Sequence, residues 1–343
     1  MATRRGDTLL FASPPTIAAF AAVGGKKEGE APLAARFDLL FEDNSLQEET
    51  WEKAESTLQR HCLETCLQKA ETILDKISLV LAGDLQNQCT ASNYTMRGLD
   101  VPFAGLYGAC STMAEGVGLA ACLASAGLVD KAAAMTSSHF CAAERQFRTP
   151  LEYGGKRTPT AQWTATAADC CLVQPAGCGP FVRAVTFGRV RDYEVTDINN
   201  MGAAMAPAAA NTILQYLRDT GARITDFDAV FTGDLGLVGT ALLKELLAAE
   251  GVELQNHTDC GLLLFDQTEQ QVQAGGSGAG CSAAVLCAHV LPLLREGKLS
   301  RVLFLSTGAL MSQTTFLQGE SIPGIAHLLE LSARAPKEEG TAE

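Results

Sequence analysis

Apolar positions along the chain follow two alternating patterns. Across residues 48–74, Trp51, Ala54, Leu58, Cys62, Leu63, Cys66, Leu67 and Ala70 recur at helical spacing, which predicts a surface helix with one buried face. Acidic residues in its first turn favour the helix dipole. Short continuous apolar runs at 77–82, 132–136, 170–173, 229–232, 261–265 and 301–306 predict buried strands. Strands and helices in alternation point to an α/β fold with helix-covered sheets. The longest apolar stretch, residues 113–129, is interrupted by Glu115 and by glycines, which suits a tightly packed central helix better than a membrane span.

The same pattern occurs twice. Leu79-Val80-Leu81-Ala82 runs into Gly83-Asp84-Leu85, and Ala229-Val230-Phe231-Thr232 runs into Gly233-Asp234-Leu235. Each is followed by a Cys-Ser pair that opens an Ala-rich helix, Cys110-Ser111 and Cys281-Ser282. A strand ending in Ser or Thr comes next; Cys110 to Thr136 and Cys281 to Thr307 both span 26 positions. Two landmarks repeated in the same order indicate duplication. The expected organisation is an N-terminal half over residues 1–185, a C-terminal half over 186–335 and a flexible tail over 336–343. Two such halves, each with an internal helix against the other, are the plan of the thiolase-like fold, five layers in α-β-α-β-α order. Residues 1–7 and 24–30 read as a mobile terminus and a surface loop.

Composition narrows the function. A formal net charge of −13 without a basic run excludes a general nucleic-acid role. Twelve cysteines scattered through Ala- and Leu-rich segments, with no secretory leader read at the N-terminus, fit buried thiols in a reducing compartment. Cys62 and Cys66 lack a second ligand pair at zinc-site spacing, and the loop Gly275-Gly276-Ser277-Gly278-Ala279-Gly280 lacks the spacing of a dinucleotide or phosphate loop. Neither a metal nor a cofactor is expected.

Cys110 follows the turn Tyr107-Gly108-Ala109 and precedes a helix, a position that exposes a thiol to free N–H groups and the positive helix end. Asp84 and Asp234, as twins, read as turn or cap residues. Of the histidines, His61 falls on the first long helix, His289 and His327 in predicted helices, and His257 in a polar stretch before a strand. His139 follows the strand after the Cys110 helix, where strand ends border a ligand crevice.

Several segments taken together resemble the stage V sporulation protein AD family. They are Ala82-Gly83-Asp84-Leu85-Gln86-Asn87-Gln88, Gly108-Ala109-Cys110-Ser111-Thr112, Thr136-Ser137-Ser138-His139, Ala143-Glu144-Arg145-Gln146-Phe147-Arg148, Leu151-Glu152-Tyr153-Gly154-Gly155, Met205-Ala206-Pro207-Ala208-Ala209-Ala210, Asp259-Cys260-Gly261 and Ala274-Gly275-Gly276-Ser277-Gly278. The resemblance runs from about residue 9 to residue 330. It implies a thiolase-fold protein that binds dipicolinic acid and supports its uptake into the developing spore, with other stage V A sporulation proteins at the membrane. The implied setting is intracellular, in the spore or forespore, in peripheral association with the inner membrane. A homodimer follows by analogy with thiolase-fold proteins. Whether the ligand is the free acid or its calcium complex stays open.

In condensing enzymes of this fold, the equivalent of Cys110 is an acyl-accepting nucleophile served by His or Asn from the second half. Here the Gly-rich loop and the turn Thr232-Gly233-Asp234-Leu235-Gly236 carry neither, and Ser306-Thr307-Gly308 lacks the second Cys. A binding protein without turnover is therefore expected, the alternative being an acyltransferase or ketoacyl-synthase-like condensing enzyme using Cys110. The expected ligand contacts are Cys110, Ser111, Ser138, His139 and Arg148. Arg145, Lys156 and Arg157 are further candidate cations for a dicarboxylate, and Trp163 is a candidate stacking face.

Overall fold

The computed structural model describes residues 2–146 and 154–335. In the first half, Phe103–Gly105, Leu79–Gly83 and Ala132–Ser138 run parallel, and Ala167–Gln174 and Thr16–Gly24 continue the sheet antiparallel. In the second half, His257–Asp259, Ala229–Thr232 and Arg301–Ala309 run parallel, and Gly324–Ser332 and Phe181–Thr186 continue antiparallel, so this half-sheet takes in residues 181–185 from ahead of the expected division at 186. Strand order and sense are identical, so the repeated landmarks mark a repeated topology. The half-sheets meet where Phe181 pairs with Thr16.

Two helices fill the middle layer. Thr112–Ser125 and Ala279–Val285 pack on each other and on strands of both half-sheets. Their Ala- and Gly-rich sequences are buried nearly all round, as a helix between two sheets must be. Small residues permit this: a Cβ on Gly116 would stand 3.3 Å from that of Ala134, and one on Gly280 only 2.5 Å from the Ala167 carbonyl oxygen. Helix Trp51–Lys69 covers the outer face of the first half-sheet, and Met201–Thr220, backed by Gly236–Ala249, covers that of the second. The long helix begins at Thr50, whose hydroxyl accepts from the Lys53 N–H at 3.3 Å, and its buried stripe includes Ala54, Leu58, Cys62, Leu63 and Cys66. Among the described residues, no helix is long and apolar enough to cross a membrane.

Four local expectations change. Residues 261–265 belong to the short helix Cys260–Leu264 and its end, because the Asp259 carboxylate accepts from the Gly261 N–H at 3.1 Å and caps it. The strand there is His257–Asp259, which contains His257. His327 lies on strand Gly324–Ser332 rather than a helix; the segment is buried on both faces, and continuous apolarity does not distinguish the two by periodicity. Residues 2–11 form a hairpin, Ala2–Arg5 against Thr8–Phe11, which joins the sheet at Phe181–Thr186.

The segment 24–30 is anchored rather than loose. Glu28 is fully buried and accepts from the Thr166 N–H at 2.9 Å, while its other oxygen has no partner among the described residues. Burial pushes its carboxyl up to about 7. A raised folded-state value means that the Glu28 contribution to stability is complete below about pH 4.5 and is lost as pH rises through about 7. Glu28→Gln is therefore expected to raise the thermal midpoint by a few degrees at pH 8 and to leave it nearly unchanged at pH 5. Thermal denaturation at both values checks this, and a lower midpoint at pH 8 would contradict it.

Candidate functional site

The C-terminal ends of the central strands open on a cavity of about 540 Å³ between the halves. Cys110 reaches it from the turn Ala109–Ser111 that leads into helix Thr112–Ser125. Ala109 holds φ at +50°, a left-handed backbone that costs a residue with a Cβ about 1 kcal/mol. The turn is pressed against the second half, since a Cβ on Gly308 would strike the Gly108 carbonyl. No side chain caps the helix N-terminus.

Asp234, from the turn after strand Ala229–Thr232, holds the site together. It is fully buried, and its carboxylate accepts from Ser277 Oγ at 2.8 Å, the Gly278 N–H at 2.9 Å and Thr307 Oγ1 at 2.9 Å. The Cys110 thiol lies near enough to feel the charge of this carboxylate. Asp259 shapes this turn, accepting from the Leu235 and Gly236 N–H groups at 3.0 Å and from Thr232 Oγ1 at 2.7 Å. Burial raises the Asp234 carboxyl, and the donors around it pull it back. Burial first, then the adjacent Asp234, push the Cys110 thiol well above its ordinary range, so the group at the helix end is a protonated thiol.

The remaining wall mixes uncharged polar side chains with apolar ones. Gln86, Gln88, Gln146, Gln162, Asn199, Thr164, Ser277, Ser312 and Thr315 line it with Tyr107, Met201, Leu310 and Met311. Gln162 donates to the carbonyls of Asp234 and Gly276 at 2.6 and 2.9 Å, tying the wall to the Asp234 turn. Asp84 is the acidic member; it accepts from the Gln86 and Ser92 N–H groups at 2.9 and 2.8 Å. It thus fixes a turn as expected, and also faces the cavity. No Lys, Arg or His is found among the described lining residues.

The expected contacts separate. Cys110 lines the cavity, whereas Ser111 turns its hydroxyl to the Gly108 carbonyl at 2.6 Å. Ser138 donates to the Ala165 carbonyl at 2.7 Å and accepts from the Gly280 N–H at 3.1 Å, bridging the halves. His139 is buried, stacks on Trp51, bonds the Asn44 carbonyl through Nε2 at 2.9 Å and caps its helix through Nδ1. None of Ser111, Ser138 and His139 is among the lining residues. Arg148 lies outside the described residues. Arg145 pairs with Glu52, Lys156 is exposed, and Arg157 meets buried Glu144 at 3.0 and 2.5 Å and the Gln162 carbonyl at 2.6 Å. Trp163 stacks on Phe140 with ring centroids 4.1 Å apart. His257 contacts Thr232 Oγ1 at 2.8 Å behind the Asp234 turn, and burial lowers it to about 4.

The raised thiol has a measurable consequence. At pH 8, alkylation of Cys110 by iodoacetamide is expected to lag well behind that of exposed Cys178. Asp234→Asn removes one source of the upward shift and is expected to speed Cys110 labelling up to about tenfold, for each pH unit recovered. Peptide mass mapping reads both sites, with circular dichroism confirming a folded variant; labelling of Cys110 unaffected by Asp234→Asn would contradict this electrostatic account.

Comparison with known proteins gives the same outline. Solved structures with this fold include a variant of OleA from Xanthomonas campestris (15% identity, 94% of this chain and 99% of that one, TM-score 0.58). Another is 3-oxoacyl-[acyl-carrier-protein] synthase III of Aquifex aeolicus VF5 (9% identity, 93% and 99%, TM-score 0.55). At such identities the likeness establishes the thiolase-like fold alone. A sequence relative, stage V sporulation protein AD of Bacillus subtilis (strain 168), is 42% identical over 322 residues, 94% of this chain and 95% of that protein. The family model described as stage V sporulation protein AD matches residues 5–332. With the duplicated fold and the Cys110 turn in place, the chain belongs to the stage V sporulation protein AD family.

Proposed function

We propose that this sporulation protein binds dipicolinic acid in the Cys110 cavity and supports its uptake into the developing spore, without catalytic turnover. The observation that carries the reading is a buried Cys110 near the buried acid Asp234, with no histidine among the described residues that line the cavity. Acyl transfer needs a thiolate, a base and oxyanion donors, whereas Asp234 stabilises the protonated thiol. The cavity volume lies within the range of small-ligand sites, about 300–1,000 Å³. Its amide and hydroxyl lining can meet carboxylate oxygens, and the helix start at Cys110 favours negative charge.

The absence of a cationic group among the described lining residues, together with Asp84, disfavours burying a bare dianion. That balance supports the calcium complex, in which one Ca²⁺ neutralises the two carboxylates. The same reading sets the protein in the spore or forespore, in peripheral association with the inner membrane, as a homodimer working with other stage V A sporulation proteins.

Isothermal titration of the full chain with dipicolinate, with and without calcium, tests the proposal. Saturable binding is expected, tighter with calcium, and Cys110→Ala is expected to weaken it about tenfold, the loss of roughly one buried contact. No heat at millimolar dipicolinate under either condition, with folded protein, would sink the reading. An acyl adduct on Cys110 after exposure to an acyl-coenzyme A would replace it with the condensing-enzyme alternative.

A further inference from the structure

Strands Arg301–Ala309 and Gly324–Ser332 form a hairpin whose last rung sets Ala309 opposite Gly324. The loop that joins them borders the Cys110 cavity, and Leu310, Met311, Ser312, Gln313, Thr314 and Thr315 line it. Its base is fastened. The Leu310 N–H donates to the Pro323 carbonyl and the N–H of buried Ile322 to the Val195 carbonyl, both at 2.8 Å, and Ser321 Oγ donates to Asp192 at 2.6 Å.

Beyond that base the loop holds only to itself. The Ser312 N–H donates to Thr315 Oγ1 at 3.0 Å and the Thr315 N–H to Ser312 Oγ at 3.2 Å, which caps the short helix Gln313–Leu317. The N–H groups of Gln318, Gly319 and Glu320 return to carbonyls of residues 314–316, with Gly319 at φ +78° turning the chain. Among the described residues, no hydrogen bond or ion pair joins residues 312–320 to the rest of the chain. None of residues 312–320 is buried, and Leu317 is 75% exposed. A segment bonded internally, with no buried apolar residue, opens as a unit at little cost.

The polar groups of the cavity are unevenly committed. On the fixed wall, Gln86 donates to buried Glu55 at 2.7 Å, Gln146 to the Leu85 carbonyl at 3.1 Å, and Ser277 to Asp234 at 2.8 Å. Gln162 is spent on two backbone carbonyls. The side chains of Gln313 and Thr314, by contrast, are exposed and have no hydrogen-bond partner among the described residues; Asn87, Thr164 and Asn199 share that freedom elsewhere in the lining. A carboxylate in this cavity therefore draws part of its donors from the loop.

We propose that residues 312–320 form a hinged flap, which closes on a bound dicarboxylate and contributes the Gln313 amide and the Thr314 hydroxyl to it. The inference rests on the binding reading above and assigns that site its moving part. Hinges fall at Met311 and Ser321, because the hairpin is held up to the Leu310 and Ile322 bonds and the loop is untied beyond them. Open and closed arrangements differ by few contacts, so two hydrogen bonds to the ligand suffice to shift the population toward closure.

Hydrogen exchange of the full chain, read by mass spectrometry on peptides covering residues 301–323, tests this. In the free protein the flap amides are expected to exchange at least about a hundredfold faster than those of strand Arg301–Ala309. Saturating dipicolinate with calcium chloride is expected to slow the flap about tenfold and to leave the strand unchanged. By titration calorimetry, Gln313→Ala and Thr314→Ala are each expected to weaken binding about fivefold, and replacement of residues 312–320 by two glycines about twenty-fivefold. The excised chain is expected to melt within a few degrees of the wild type, since it loses no buried residue.

Binding that leaves flap exchange unchanged, or that survives the excision at full affinity, would overturn this inference and leave the binding reading intact. No binding heat under any condition rejects both. Should the excised chain not fold, the two single substitutions, which lie at exposed positions, and the wild-type exchange decide.

Discussion

A single buried carboxylate, Asp234, joins the parts on which the site depends. Its carboxylate is held by Ser277 and Gly278 at the start of the second middle-layer helix and by Thr307 near the end of strand Arg301–Ala309, and its charge acts on Cys110 at the start of the first. A buried acid without donors would cost several kcal/mol, so these elements must converge as they do. The convergence also explains the small residues nearby. Gly233, Gly278 and Gly308 all sit where an added Cβ would meet backbone or side-chain atoms across the junction.

The same acid decides the chemical character of the cavity. A histidine beside Cys110 would draw its proton; a buried carboxylate keeps it on sulfur. Two of the candidate cations are committed elsewhere. Arg145 is held by Glu52, and Arg157 by Glu144 while also bonding the Gln162 backbone. Arg157 thus shapes the wall from behind. What faces the cavity is a set of neutral amides and hydroxyls among apolar side chains, with Asp84 as the acidic member.

Much of the fold was legible in the chain. Repeated Gly-Asp-Leu and Cys-Ser landmarks predicted two halves of the same topology, and the Ala- and Gly-rich runs predicted helices enclosed by sheets. Short segments were less legible: residues 261–265 are apolar enough for a strand, yet one hydrogen bond from Asp259 turns them into a helix. His327 was assigned to a helix for a related reason, since a segment buried on both faces has no diagnostic period.

By itself, the sequence determined the fold class, the family and the position of Cys110 at a helix start, because these rest on local periodicity and on motifs contiguous in the chain. Tertiary structure alone decided which polar groups meet Cys110. Asp234 lies 124 positions from it, and its Gly-Asp-Leu motif is the same as that of its twin Asp84, so nothing local marks it as the thiol's partner. Gln86 and Glu55 likewise become one hydrogen-bonded unit only when the long helix packs on the sheet. His139, adjacent to the right strand, turned inward because Asn44 and Trp51 satisfy it there. Burial and pairing are properties of assembled surfaces; the spacing of residues along the chain encodes which elements form, and their packing selects which side chains face the cavity.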